Sequence, residues 1–75
     1  MCLAIPGRVV RLDAESSTAQ VSYGGLCKSA STMLLPDVSC GDYVLVHAGF
    51  IIQLLSEQDG AELSRLADEA GFYEQ

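Results

Sequence analysis

Cys2 and His47 are the two side chains in this sequence best suited to chemistry. Cys2 follows the initiator directly and precedes Leu3-Ala4-Ile5 and a Pro6-Gly7 dipeptide. Methionine aminopeptidases remove Met1 when the second residue is small, as Cys is. The mature chain is then expected to begin with a thiol and a free α-amine on one residue, at an exposed and mobile end. The neighbouring positive charge favours thiolate, and sulfur and nitrogen together could close a small chelate ring on a soft metal. The opposing reading is a small, inert hydrophobe, because free cysteine is often buried. Its place behind a removable Met and before Pro-Gly favours a functional thiol. Pro6-Gly7 also reads two ways. It stops the terminal segment from running on as a regular strand, and it is a hinge from which Cys2 could project and dock.

His47 is the only imidazole of the chain, the group that both ligates metals and moves protons near neutral pH. A lone histidine on a strand is also commonly a hydrogen-bonded structural residue, and both readings stay open. Cys27 and Cys40 are expected to be packed and turn-exposed respectively, and neither receives a role. Three cysteines without a C-x-x-C pair, beside one histidine, do not supply the four close-paired ligands of a structural zinc site. A disulfide framework is not expected without a signal peptide, so free thiols in a reducing, cytoplasmic setting fit better.

No catalytic constellation accompanies these residues. There is no Gly-rich phosphate loop, no second imidazole and no supported Ser/His/Asp set. A stand-alone enzyme would have to use Cys2 as nucleophile with His47 as its base. The chain is expected not to be an enzyme.

Composition narrows the partners. An apolar fraction of 49% with 19% charged residues describes a folded protein. At 75 residues it should be a single domain with a thin core. No apolar run approaches the roughly 20 residues that span a bilayer, so no membrane partner is expected. The net charge of −6 gathers in residues 56–75, which hold six acids against Arg65 alone. Four cationic side chains in the whole chain leave no footprint for a phosphate backbone, which argues against nucleic acid.

The elements that must position Cys2 and His47 follow from pattern. Arg8-Val9-Val10-Arg11-Leu12 reads as a first strand. Thr18 to Tyr23 alternates, with Ala19, Val21 and Tyr23 on one face and Thr18, Gln20 and Ser22 on a wet one. Gly24-Gly25 is a two-residue hairpin signal, and a strand from Leu26 to about Thr32 should return. Met33-Leu34-Leu35 is a short apolar bridge. Tyr43-Val44-Leu45-Val46-His47 is the strongest strand, apolar on both faces, hence central or covered by the helix or a partner. Ala48-Gly49 reverses the chain into Phe50–Leu55. At Ser56, a cap residue, the period becomes helical and runs from about Glu57 to Ala70, with Gly71 as its stop. Gly60 weakens its first turn. Five strands and one helix predict a mainly β fold: a small OB-like antiparallel barrel over about 1–55 with a C-terminal helix over about 57–70. The acidic helix reads first as a solvated cover for one barrel end.

Two stretches carry a resemblance. Met-Cys-Leu-Ala-Ile-Pro-Gly at 1–7 and Gly-Asp-Tyr-Val-Leu-Val-His-Ala-Gly-Phe at 41–50 resemble the HypC/HybG/HupF hydrogenase maturation chaperones, over the whole chain and in element order. Ile51 departs from the small residue often found there. The resemblance implies an OB-like barrel with a C-terminal helix and a non-enzymatic role in building the active site of [NiFe] hydrogenases. It implies two partners, the iron-sulfur maturation protein HypD and the precursor of the hydrogenase large subunit. It implies no permanently bound cofactor, but transient iron carrying cyanide and carbon monoxide, shared with HypD. By position, Cys2 is the essential thiol and Leu3, Ala4, Ile5, Pro6 and Gly7 are the partner-binding segment around it. His47 matches the second motif's histidine, a candidate metal ligand with Cys2. The runner-up readings are an OB-type nucleic-acid binder, a thiol-dependent redox enzyme and a metal chaperone with another cargo.

Overall fold

The architecture is that of a computed structural model, which describes residues 4–71. Five strands close into a barrel in the order β1-β2-β3-β5-β4, the OB-like arrangement expected. They are β1 (Ile5–Asp13), β2 (Thr18–Tyr23), β3 (Leu26–Ser31), β4 (Tyr43–His47) and β5 (Phe50–Leu55), followed by helix α1 (Glu57–Glu69). All neighbours run antiparallel except β3 and β5, which meet in parallel where Ser31 pairs with Phe50.

The alternating pattern of β2 is borne out. Ala19, Val21 and Tyr23 point inward and are buried, while Thr18, Gln20 and Ser22 are half-buried on the outside. Gly24 and Gly25 both take positive φ, 61° and 98°, so the two-residue reversal into β3 has the geometry of a type I′ turn. Ala48 and Gly49 do the same between β4 and β5, at 53° and 84°. The core is narrow and mostly aliphatic, with Tyr23 contributing a ring. Val9, Val21, Val44 and Ile51 are its largest fully buried side chains, each contributing about 1.5–3 kcal/mol by burial. Ile51 therefore fills the barrel.

β1 begins three residues earlier than the pattern predicts. Pro6 and Gly7 do not break the strand; they lie inside it, paired with Leu45 and Val44 of β4. Proline is tolerated at the opening of a strand, and the glycine has a steric reason. A Cβ on Gly7 would stand 2.5 Å from Val21 Cγ1 and 2.9 Å from Tyr23 Cε1. Beyond Val9 the register of β1 against β2 shifts by a bulge. There Val9 turns to the loop that leads into β4, donating to Asp42 O at 2.9 Å and accepting from Gly41 N at 2.7 Å.

Helix α1 is capped as its sequence predicts: Ser56 Oγ accepts from the amide of Asp59 at 3.1 Å. At the other end Gly71 takes φ 79°, and its amide donates to Asp68 O at 3.1 Å. The helix lies against β1, β4 and β5. Its buried residues are Gly60 and Ala67. A Cβ on Gly60 would fall 2.1 Å from Tyr43 Cβ, so the glycine that weakens the first turn is the point where the helix docks.

Candidate functional site

The antiparallel register of β1 and β4 builds the candidate site. Ile5 pairs with Val46, Pro6 with Leu45, Gly7 with Val44 and Arg8 with Tyr43. Traced back toward the start of the chain, β1 therefore runs to the His47 end of β4. The two stretches that stand far apart in sequence meet along one edge-to-edge pairing. Cys2 and Leu3 lie outside the described residues; the described chain opens at Ala4, which is exposed, and Ile5, which is half-buried. Pro6 and Gly7 are buried. Of the segment Ala4–Gly7, the first two residues are therefore accessible and the last two fix the strand.

His47 is half-buried on the outer face of the barrel, alternating with Tyr43 and Leu45 as its spacing requires. Its partner across the turn is Phe50, 40% exposed. This ring is the site residue that sequence reasoning passed over, although the Ala48-Gly49 turn and the strand period put it opposite His47. β3 ends beside it: Ser31 pairs with Phe50 and its amide donates to Gly49 O at 2.7 Å. Met33, two residues on and 71% exposed, leaves the barrel from there.

The far end of β4 has different chemistry. Arg8 lies over the Tyr43 ring, 5.4 Å from guanidinium carbon to centroid, and its Nε donates to Gly41 O at 3.3 Å. Cys40, Gly41 and Asp42 line a cleft of about 260 Å³ with Arg8, Tyr43 and Glu57. His47 lies four residues farther along the strand, roughly 13 Å away. The structure thus does not bring Cys40 to the imidazole.

Cys27 corrects its expectation. It is exposed, not packed, because the two-residue turn aligns it with Ser22 on the wet face of the hairpin. It borders a cleft of about 640 Å³ with Arg11, Leu12, Asp13 and Gln20, which His47 does not line. Cys40 is exposed, as expected. Among the described residues no group of three or more Cys, His, Asp or Glu side chains is placed to hold a metal ion. No helix there is long and apolar enough to cross a membrane.

Known proteins converge on one family. The model of the HupF/HypC family matches residues 1–67, a span containing both the Cys2 stretch and the 41–50 block. Hydrogenase maturation factor HypC from Synechocystis is 46% identical over 66 residues, covering 83% of this chain and 87% of that protein. Hydrogenase maturation factor HypC from Azotobacter chroococcum is 44% identical over 71 residues, with coverages of 95% and 83%. The protein of the same name from Cupriavidus necator is 39% identical over 69 residues, with coverages of 92% and 76%.

Proposed function

The chain belongs to the HupF/HypC family, and from that premise we propose that it is a non-enzymatic chaperone of [NiFe] hydrogenase maturation. It binds HypD and the precursor of the hydrogenase large subunit, and helps to assemble and deliver an iron unit carrying cyanide and carbon monoxide. The observation carrying this reading is that the family match begins at residue 1 and extends past the helix start, so that Cys2 and His47 fall within it together. The register of β1 on β4 supports it physically, because it brings Ile5, the strand residue nearest Cys2 in sequence, beside Val46 at the His47 end of the barrel.

The chemistry fits a carrier. Low-spin iron with cyanide and carbonyl ligands is a soft centre, for which thiolate is a suitable ligand. A carrier must also release what it holds. One thiolate from Cys2, bridging to iron shared with a partner cysteine, binds less tenaciously than a closed four-ligand cage. In this reading Met1 is removed, Cys2 is the essential ligand, and His47 coordinates or orients beside it. Leu3, Ala4 and Ile5 face the partner, and Pro6 and Gly7 hold the strand that presents them.

Infrared spectroscopy of the complex with HypD tests the ligand role. The wild-type complex is expected to show the cyanide and carbonyl stretches, and the Cys2→Ala complex to lose most of their intensity. Full bands in the variant would remove Cys2 from the iron. Co-purification on a tagged copy from hydrogenase-expressing cells tests the partners: HypD and the large-subunit precursor should both be recovered, and recovery of neither would count against the assignment.

A further inference from the structure

Helix α1 carries a second surface that the iron-carrier reading does not use. Its small residues Gly60, Ser64 and Ala67, spaced four and three apart, turn toward the barrel: two are buried and Ser64 is half-buried. The larger apolar residues do not follow them inside. Leu63 is 39% exposed and Leu66 46% exposed. Three- and four-residue spacings keep neighbours on one helix face, so Asp59, Leu63, Leu66 and Ala70 form one stripe along the flank of the helix, all four exposed. Glu62 and Glu69 lie three or four residues from Leu66 and border that stripe on its outer side.

The charge of the helix itself is one-sided. The helix holds Glu57, Asp59, Glu62, Asp68 and Glu69 against Arg65 alone. That arginine is engaged, donating to Glu69 at 2.9 Å in an exposed i,i+4 pair. Its last turn contains no basic residue to answer the carbonyl end of the dipole. Leucines rimmed by carboxylates suit an apolar segment rimmed by cations, with the leucines giving contact area and the rim giving selectivity. A second copy of this chain is a poor occupant, since pairing the stripe with itself would oppose acid to acid. An anionic lipid surface is disfavoured for the same reason.

We infer that the Asp59–Leu63–Leu66–Ala70 stripe of α1 is a docking face for a basic amphipathic segment of a partner protein. The segment presents two or more apolar side chains at helical spacing to Leu63 and Leu66, with Lys or Arg reaching Asp59, Glu62 and Glu69. This is a helix-against-helix mode read through i, i+3 and i+4 anchors.

The test uses the full chain, isotopically labelled for NMR, titrated with a short synthetic amphipathic helix of Leu and Lys. The same helix with Glu in place of Lys serves as control. The basic peptide should shift the amides of Asp59–Ala70 and leave β2 and β3 unmoved, and the acidic one should shift neither. Binding should weaken roughly tenfold between about 50 mM and about 0.5 M salt. It should fall by a similar factor in Glu62→Lys and be lost in Leu63→Ser/Leu66→Ser, whose barrel amides report whether the fold is intact. Shifts centred on Met33, Leu34 and Phe50, equal binding of the acidic peptide, or no binding would overturn the inference. Sedimentation showing that Leu63 and Leu66 instead mediate a dimer would overturn it as well.

Discussion

A single methyl group at residue 7 separates two accounts of the Pro6-Gly7 pair. If Gly7 were a hinge, alanine would cost little in the folded barrel, because its φ lies outside the region that strains an L-residue. If it is a packing position, the new Cβ meets Val21 Cγ1 at 2.5 Å, Tyr23 Cε1 at 2.9 Å and the Ser22 carbonyl at 3.1 Å. Val21 is fully buried and the carbonyl is backbone, so neither yields cheaply. Overpacking of this kind costs about 1–3 kcal/mol. Gly7→Ala should therefore lower the melting temperature by roughly 5–20 °C in a domain of this size, read by circular dichroism. An unchanged melting temperature would restore the hinge. The residues themselves were legible as special, but the reason was not. The atoms that exclude the methyl belong to β2, and no local pattern around Gly7 names them.

The fold alters the titration of Asp13. Hydrogen bonding from Ser16, side chain and then amide, holds its carboxyl below the ordinary value of 3.8, with smaller help from the Glu15 amide and Arg11. Its Oδ1 accepts from Glu15 N at 3.1 Å and Ser16 N at 3.4 Å, closing the turn between β1 and β2. The folded value is the depressed one. Its contribution is therefore present above the unfolded value and is lost as pH falls through the folded one. The group is fully exposed, so the effect on global stability is slight and the local titration is the proper readout. NMR should place the Asp13 midpoint below that of an unstructured aspartate, and Ser16→Ala should move it back up. A midpoint at the ordinary value would mean the turn is not closed in this way.

Among the elements, α1 sets propensity against packing. Replacing a helical glycine with alanine normally gains about 1 kcal/mol. At Gly60 the added Cβ would stand 2.1 Å from Tyr43 Cβ and 2.2 Å from its Cγ, close to the backbone of β4. Tyr43 is also covered by the Arg8 guanidinium, so packing wins. Gly60→Ala should destabilise the protein despite its better propensity, and amide exchange in α1 should accelerate before that of β4. A gain in stability would show that the helix can lift off Tyr43 at no cost. The cap offers a contrast, because Ser56→Ala should cost about 1 kcal/mol by urea denaturation with no shift in the docking of the helix. These two positions also mark what sequence could reveal. Ser56 announces the helix through bonds made within four residues, and the bounds of β2, β4 and β5 follow from equally local alternation and turns. Gly60 reads as a flaw until β4 is beside it. Cys27 lies between these cases: its outward face was implicit in the Gly24-Gly25 turn, which aligns it with Ser22.

At the scale of the molecule, charge acts across the whole body. The Cα framework measures 34 × 25 × 21 Å, comparable to a Debye length of about 30 Å at 0.01 M salt and several times the roughly 3 Å at 1 M. At low salt, a net charge of −6 therefore repels itself throughout a barrel whose core rests on a few valines and one isoleucine. The repulsion concentrates in α1, where Asp68 and Glu69 also oppose the carbonyl end of the dipole. Raising salt from about 0.01 M to about 0.5 M should raise the melting temperature by a few degrees as these terms are screened. Asp68→Lys should stabilise by about 0.3–1 kcal/mol at low salt, and its advantage should shrink as salt rises. A melting temperature flat in salt, or an advantage that salt leaves untouched, would mean that the acids cost the fold nothing. If they do carry a cost, a cationic segment seated along Leu63 and Leu66 would relieve it. Binding the basic peptide should then raise the melting temperature more at low salt than at high.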